Sequence, residues 1–139
     1  MEQFKIEFKD FSDKVISECT GAVIAWLEEA SGEMQGQIQR NSRVDTGATK
    51  GSYEYHVDES KYESIIGSPL ENAIWEEFGT GIYALNGDGR KDVPWKYQTP
   101  DGKWHQTSGK KPNRPMQRAY DALKTKLIRA CEAKFQGLG

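Results

Sequence analysis

Residues 67–81 most constrain the fold, because they carry signals for both ends of one short helix. Ser68 precedes Glu71 by three residues, which is the spacing of a capping box at a helix start. Pro69 stands between them, where the first helical residue is expected. The segment therefore predicts a helix that begins at residue 69.

The same segment predicts one apolar side and a defined end for this helix. Leu70, Ile74 and Phe78 recur at every fourth position, which is typical of an apolar helical stripe. Gly79 follows the last of them, at the place that a left-handed C-cap usually occupies. The sequence thus predicts a short capped helix at residues 69–78.

Glu76 and Glu77 fit this helix poorly. Both lie in its last turn, near the negative end of the helix dipole, where an exposed carboxylate costs about 0.3–1 kcal/mol. We expect Glu77 to pair with Arg114 or Arg118, within the subunit or across a subunit contact. Glu76 is expected to matter little if it faces water.

A strand and a long helix are predicted for residues 1–42. Phe4, Ile6 and Phe8 alternate with charged residues, which favours a half-buried strand. A strongly amphipathic helix follows, whose apolar face we expect to be core: Phe11, Val15, Cys19, Ala22, Val23, Trp26, Leu27 and Ala30. Beyond residue 30 the pattern thins, and Gly32 and Gly36 weaken a helix. The helix therefore either ends early or projects beyond the domain.

Residues 44–107 predict a sheet region. The residues Val44 to Gly47 predict a turn, in which Gly47 allows a positive φ. Residues 53–57 and 62–66 read as strands joined by a polar turn, and residues 80–93 as a glycine-rich loop too charged to pack. Residues 95–98 and 103–106 flank a Thr-Pro-Asp-Gly turn and predict a hairpin. Its aromatic residues predict burial against the body or a partner, and are candidate interface residues: Trp95, Tyr97 and Trp104.

The last predicted element is a helix over residues 113–138 with a core stripe of Met116, Ala119, Tyr120, Leu123, Leu127, Cys131, Phe135 and Leu138. The predicted architecture is α+β. In it, an antiparallel meander is covered by long N-terminal and C-terminal helices, with the short capped helix at its edge. At 139 residues the chain is expected to form a single domain, 1–139.

Three blocks of the sequence, in this order, resemble one family of bacteriophage proteins: VDTGATKGS, GSPLENAIWEEFGTG and GKKPNRPMQRA. These are the neck, or head–tail joining, proteins of long-tailed phages, a group that includes tail-completion and minor tail proteins. The resemblance implies a non-enzymatic structural protein that joins or completes the head–tail junction as a multimer. It marks these motif residues: Asp45, Thr46, Gly47, Ser52, Gly67, Glu77, Phe78, Gly79, Thr80, Gly81, Pro112, Arg114 and Arg118.

The resemblance also implies partners and a location. The expected partners are further copies in a ring-like homo-oligomer and other head-closure and tail proteins, with non-specific contact to passing DNA and no membrane. The expected location is the host bacterial cytoplasm during assembly, then the virion neck or tail. Two alternatives stand beside it: a tail-tube terminator, and a small nucleic-acid-binding module that uses the aromatic, lysine-bearing hairpin.

The charge of the chain is divided unevenly. Residues 1–79 carry a net charge of −9 and residues 80–139 carry +7, within a total of −2. Either the two halves neutralise each other inside one subunit, or copies pack with an acidic flank on a basic flank. Sequence alone leaves both open.

Catalytic chemistry finds little support in the sequence. The Asp-Thr-Gly-Ala stretch at residues 45–48 matches an aspartic-protease signature, but the polar segment before it is unsuited to the buried strand that such a site needs. His56 and His105 are expected on the polar faces of strands. Cys19 and Cys131 are expected to be reduced, buried thiols. We expect no catalytic, cofactor or metal site.

Overall fold

The computed structural model describes residues 12–43 and 47–138, which form four α-helices, four strands and a short 3₁₀ helix. The helices are α1 (Ser12–Asn41), α2 (Ala48–Gly51), α3 (Glu71–Phe78) and α4 (Pro115–Gln136), and the 3₁₀ helix is Gly81–Tyr83. The strands are β1 (Glu54–Asp58), β2 (Glu63–Gly67), β3 (Trp95–Gln98) and β4 (Trp104–Thr107). The α+β class is confirmed. The predicted strand at Phe4 to Phe8 lies outside the described residues.

The four strands form two separate antiparallel pairs rather than one meander. Strand β1 pairs with β2, and β3 pairs with β4. Helix α1 packs against the first pair and against α4. In the described part of the chain, no helix is long and apolar enough to cross a membrane.

Helix α1 continues to Asn41, through Gly32 and Gly36. Its second half is held by packing, since Ser31 and Ile38 are buried. The side chain of Gln35 also donates a hydrogen bond to the carbonyl oxygen of Tyr53 at 2.8 Å. Tertiary contacts of this kind offset the weak helix propensity of the two glycines.

The predicted apolar face of α1 is core only in part. Leu27 and Ala30 are buried, and the indole N–H of Trp26 donates a hydrogen bond to the carbonyl oxygen of Leu127 at 2.7 Å, which ties α1 to α4. Val15, by contrast, is 55% exposed, so its prediction as a core residue is wrong. Residues 12–18 are all exposed, and the half-buried and buried positions of α1 begin at Cys19.

The buried core is small and lies between α1, β1, α3 and α4. Its members are Ile38, Tyr53, Ala73 and Ala119, against which Met34, Ile66 and Met116 pack. In α4 the predicted stripe is partly wrong, because Tyr120 and Phe135 are exposed. The polar surface of α4 therefore also carries large apolar side chains that are 54% and 40% exposed.

Candidate functional site

Helix α3 turns Glu76 and Glu77 inward and its large apolar residues outward. Glu76 and Glu77 are only 3% and 6% exposed. Ile74 and Phe78 from the predicted apolar stripe are 58% and 39% exposed, and Leu70 precedes the helix and is also exposed. The expectation that Glu76 faces water is therefore wrong.

The predicted limits of this helix need a correction at its start. Helix α3 begins at Glu71, and its N-cap residue is Leu70. The hydroxyl of Ser68 accepts a hydrogen bond from the backbone N–H of Leu70 at 3.1 Å. Ser68 therefore stabilises the turn before the helix, and the predicted capping box with Glu71 is wrong. At the other end Gly79 does take a positive φ of 77°, but its ψ of 175° lies outside the left-handed helical region.

The carboxylate of Glu76 is surrounded by donors from two distant segments. Oε1 accepts a hydrogen bond from the Nε–H of Arg43 at 3.1 Å, lies 3.0 Å from Nη2 of the same guanidinium, and also pairs with the ammonium of Lys110. Oε2 accepts the side-chain N–H of Asn113 at 3.0 Å. The backbone carbonyl of Glu76 accepts the N–H of Asn113 at 2.8 Å, so this helical turn is fixed through both its side chain and its main chain.

These contacts determine the ionisation of Glu76. Burial raises its pKa, but hydrogen bonds from Lys110 and Asn113, together with the charges of Lys110 and Arg43, outweigh burial and leave the pKa below its ordinary value. Glu76 is thus an ionised carboxylate whose charge is matched inside the subunit.

The carboxylate of Glu77 closes the first turn of α4. Its two oxygens accept the backbone N–H groups of Met116 at 2.9 Å and of Gln117 at 3.0 Å. The Nε of Arg114 lies 3.6 Å from Oε1, so the predicted pairing with Arg114 is confirmed and lies within the subunit. A negative charge at a helix N-terminus is favoured by the helix dipole and by the free N–H groups there. The misfit at the end of α3 is therefore offset at the start of α4.

The Arg118 guanidinium contacts main-chain and amide oxygens and does not pair with the Glu77 carboxylate. Its guanidinium donates to the carbonyl oxygens of Asn113 at 2.9 Å and of Asn41 at 3.0 Å. It therefore connects the end of α1 to the segment that precedes α4.

The segment after α3 packs tightly against the segment before α4. The backbone N–H of Thr80 donates to the carbonyl oxygen of Lys110 at 2.9 Å, and the N–H of Lys110 donates to the Thr80 hydroxyl at 2.8 Å. A Cβ at Gly81 would lie 2.0 Å from the carbonyl oxygen of Ser108, and Gly81 has a φ of 59°. Only glycine fits there. The prediction that the whole loop 80–93 is unpacked is wrong, because Gly89 also lies against the Gly81 carbonyl.

These contacts define a junction that brings two of the three resembling blocks together. We name it the 76–81/108–118 junction. Six of the predicted motif residues make the contacts of this junction: Glu77, Gly79, Thr80, Gly81, Arg114 and Arg118. Pro112 joins them, since its Cδ would lie 2.9 Å from a Cβ at Gly79. Sequence reasoning missed Arg43, Lys110 and Asn113 as partners of Glu76, because no local spacing connects them.

The remaining motif residues take no part in the junction contacts described above, or lie outside the described residues. Asp45 and Thr46 lie outside the described residues. Gly47 has the expected positive φ, 84°, as the N-cap of α2. The hydroxyl of Ser52 donates to the carbonyl oxygen of Thr49 at 2.6 Å, and a Cβ at Gly67 would meet only open space. Phe78 lies at the surface, with the Arg114 guanidinium 5.4 Å from its ring centre.

An exposed apolar surface adjoins the junction. We name it the α3 face and define it by Ile74, Trp75, Phe78, Tyr120 and Trp95, which line three adjoining grooves. Ile74 and Phe78 are shared by the groove toward α4 and the groove toward residues 81–90. Trp75 and Trp95 continue the surface toward the second hairpin. Contiguous apolar surface of this kind typically marks a protein–protein contact.

The three candidate interface aromatics do not share one face of the second hairpin. Trp95 and Tyr97 lie on the side that turns toward Trp75, whereas Trp104 lies opposite Gln98 and so on the other side. Trp95 is half-buried, with the Arg90 guanidinium 5.2 Å from its ring centre. His105 is exposed as predicted, but it lies on the face of Trp95 and Tyr97 rather than on the polar face of its strand, and its ring stacks on that of Tyr97 with centroids 5.2 Å apart. A single stacking ribbon for nucleic acid is therefore not formed.

Ion pairs between the halves of the chain favour internal neutralisation for part of the charge split. Four acidic side chains of residues 1–79 pair with cations of residues 80–139: Glu29 with Lys134, Glu33 with Lys126, Glu76 with Lys110, and Glu77 with Arg114. Glu54, Glu63 and Lys96 form no such ion pair with any residue of the described ranges.

Metal-binding chemistry has no candidate among residues 12–43 and 47–138, since no group of three His, Cys, Asp or Glu side chains there could hold an ion. Cys19 and Cys131 are free and half-buried.

Comparisons with models of protein families, with curated proteins and with solved structures found no match.

Proposed function

We propose that this protein is a structural subunit of the head–tail neck of a long-tailed bacteriophage, and that it works in several copies without catalysing a reaction. The observation that carries the proposal is the α3 face. The short helix at the centre of the resembling sequence directs Glu76 and Glu77 inward and its large apolar residues outward. Such a helix is suited to contact another protein.

The burial of Glu76 and Glu77 costs free energy within the subunit, and this cost supports an assembly role for the surface that it creates. Burying two adjacent glutamates requires several matched partners, since an unmatched buried charge costs several kcal/mol. Arg43, Lys110 and Asn113 match Glu76, while Arg114 and the start of α4 match Glu77. The result is a rigid base for Ile74, Trp75 and Phe78, which remain exposed. Rigid presentation lowers the entropy cost of binding.

The phage assignment is supported by the resemblance of the three blocks. The second and third blocks meet in the 76–81/108–118 junction, where their glycines and arginines have defined contacts. Because these contacts require glycines and arginines at defined positions, they give a structural reason for the two blocks to occur together in one chain. The α3 face is proposed to be covered by a different protein of the particle.

Disruption of the gene in the phage or prophage that carries it tests the role. We expect electron microscopy of the lysate to show DNA-filled heads beside free tails of normal length. Tails of abnormal length would instead indicate the tail-tube terminator. Normal infectious particles would contradict the proposal.

A further inference from the structure

The two most exposed large apolar side chains of the described residues lie on two different sheets. They are Trp104, 67% exposed on the hairpin β3–β4, and Ile65, 63% exposed on the hairpin β1–β2. On each hairpin, the side chain belongs to the face whose strand residues are the more exposed ones in the described part of the chain. Neither contributes to the α3 face or to the core.

The outer face of β1–β2 is acidic. The register places Ile65 opposite His56, and Asp58 directly opposite Glu63, with Glu54 at the other end of the same face. Two like charges in a cross-strand pair destabilise a sheet. Asp58 is partly compensated, since it accepts hydrogen bonds from Ser60 and Lys61 in the turn.

Glu54 and Glu63 are the unmatched charges of this face. Both are exposed, and no side chain among residues 12–43 and 47–138 forms an ion pair with either. Among the described residues, the acidic side chains around Ile65 are thus a like-charge arrangement that a cation from another copy would relieve.

The outer face of β3–β4 has the opposite charge. Trp104 lies opposite Gln98, and Lys96 lies opposite Gln106 on the same face. Lys96 is exposed and forms no ion pair with any described residue. This face thus presents one large aromatic ring beside an unpaired lysine, with no acidic residue among its strand positions.

We infer that the outer face of β1–β2 in one copy docks on the outer face of β3–β4 in the next copy, with Trp104 packed on Ile65 and Lys96 near Glu54 or Glu63. The occupant is a second copy because no described residue of the subunit forms an ion pair with Glu54, Glu63 or Lys96, and each face supplies the charge that the other needs. Each face repels its own kind, so the contact joins two different surfaces. A contact of that type continues from copy to copy until a ring closes or a filament grows.

The inference rests on the proposed function in one respect, which is that several copies assemble. It adds the surfaces, the direction of the contact and its dependence on charge. Because surface charges are screened by salt, the contact should weaken when the salt concentration rises from about 0.05 M to about 0.5 M. The α3 face, which is apolar, should respond little to the same change.

Paired charge reversals test the inference on the full chain. We expect the wild type to form higher-order species in sedimentation velocity, and Lys96→Glu and Glu63→Lys each to lose them, with self-association weakened at least about tenfold. The matched controls Lys91→Glu and Glu132→Lys reverse exposed charges on other surfaces and should assemble as the wild type does.

Mixing the two reversed variants gives the decisive result. Each variant retains one native face, and the two altered faces have exchanged their charges, so an equimolar mixture should regain assembly. A mixture that stays monomeric, single variants that assemble normally, or a monomeric wild type would each overturn the inference. Loss of single-stranded DNA binding in Lys96→Glu, with self-association unchanged, would instead assign the basic face to nucleic acid and would also overturn it. None of these results decides the joining role, which the gene disruption tests separately.

Discussion

The carboxylate of Glu77 accepts the backbone N–H of Met116 at 2.9 Å, so the last turn of α3 caps the first turn of α4. One residue thus couples two helices that lie 37 residues apart at their nearest ends, from Phe78 to Pro115. The same helix α3 presents the exposed apolar surface. Its position relative to α4 is therefore set by charge and hydrogen bonding, while its apolar residues remain available for contact.

Replacement of Glu77 should destabilise the fold. In Glu77→Gln the side chain keeps one acceptor oxygen but loses its charge, so one N–H at the start of α4 and the Arg114 guanidinium lose their partner. We expect a loss of about 1–3 kcal/mol in the free energy of unfolding, measured by urea denaturation. Glu71→Gln is the control, because Glu71 is exposed on the same helix. Equal stability of Glu77→Gln and the wild type would contradict this role.

Glu76 should give the folded state a characteristic pH dependence. Its pKa in the folded protein lies below the ordinary value of 4.5, so its ionised form is favoured by folding. This contribution is fully present above that ordinary value and is lost as the pH falls through the lower folded-state pKa. We expect the stability difference between the wild type and Glu76→Gln to shrink as the pH is lowered from about 7 to about 3. A difference that does not change with pH would show that the charge of Glu76 is not the stabilising feature.

Gly81 should tolerate no side chain. Alanine there would place its Cβ 2.0 Å from the carbonyl oxygen of Ser108 at a backbone φ of 59°. We expect Gly81→Ala to lower the melting temperature strongly, with a loss of about 2–4 kcal/mol or more. Gly67→Ala is the matched control from the same sequence block, since its Cβ would meet open space. Similar melting temperatures for the two variants would contradict the tight packing of the junction.

The two tryptophans of the second hairpin should behave differently. Trp95 is half-buried beside Trp75 and Arg90, whereas Trp104 is 67% exposed. We expect Trp95→Ala to lose about 1–2 kcal/mol of folding stability, and Trp104→Ala to lose less than about 0.5 kcal/mol. Thermal unfolding of the two variants at low protein concentration measures this. A larger loss for Trp104→Ala would show that its ring is covered within the subunit.

The α+β class and most elements could be predicted because their signals are local. The four-residue steps of α1, the alternation in β1 and the Thr-Pro-Asp-Gly turn before β4 each act within a few residues. The exposure of the predicted core residues Val15, Tyr120 and Phe135 could not be predicted, and neither could the continuation of α1 to Asn41, because both depend on which surfaces pack together. The segment around Gly36 stays helical because tertiary contacts hold it, among them the hydrogen bond from the Gln35 side chain to the carbonyl oxygen of Tyr53.

The orientation of α3 shows where local reasoning fails. Ile74 and Phe78 have the spacing of a core stripe, yet the helix turns the other way. The deciding partners are Arg43 and Lys110, which lie more than thirty residues from Glu76 in sequence. The local warning was the unfavourable place of Glu76 and Glu77 near the negative end of the helix dipole. That signal led to the prediction that Glu77 pairs with Arg114 or Arg118, but it predicted neither the burial of Glu76 nor the capping of α4.

The most direct test of the central claim is an add-back experiment with separated heads and tails from the gene-disrupted phage. Purified wild-type protein should restore infectious particles, and Ile74→Asp should not, although circular dichroism shows it folded. Ile128→Asp, which alters an isoleucine of similar exposure on α4, should restore particles as the wild type does. If Ile74→Asp joins heads to tails as well as Ile128→Asp, or if the wild type restores nothing, the assignment of the α3 face to head–tail joining is contradicted.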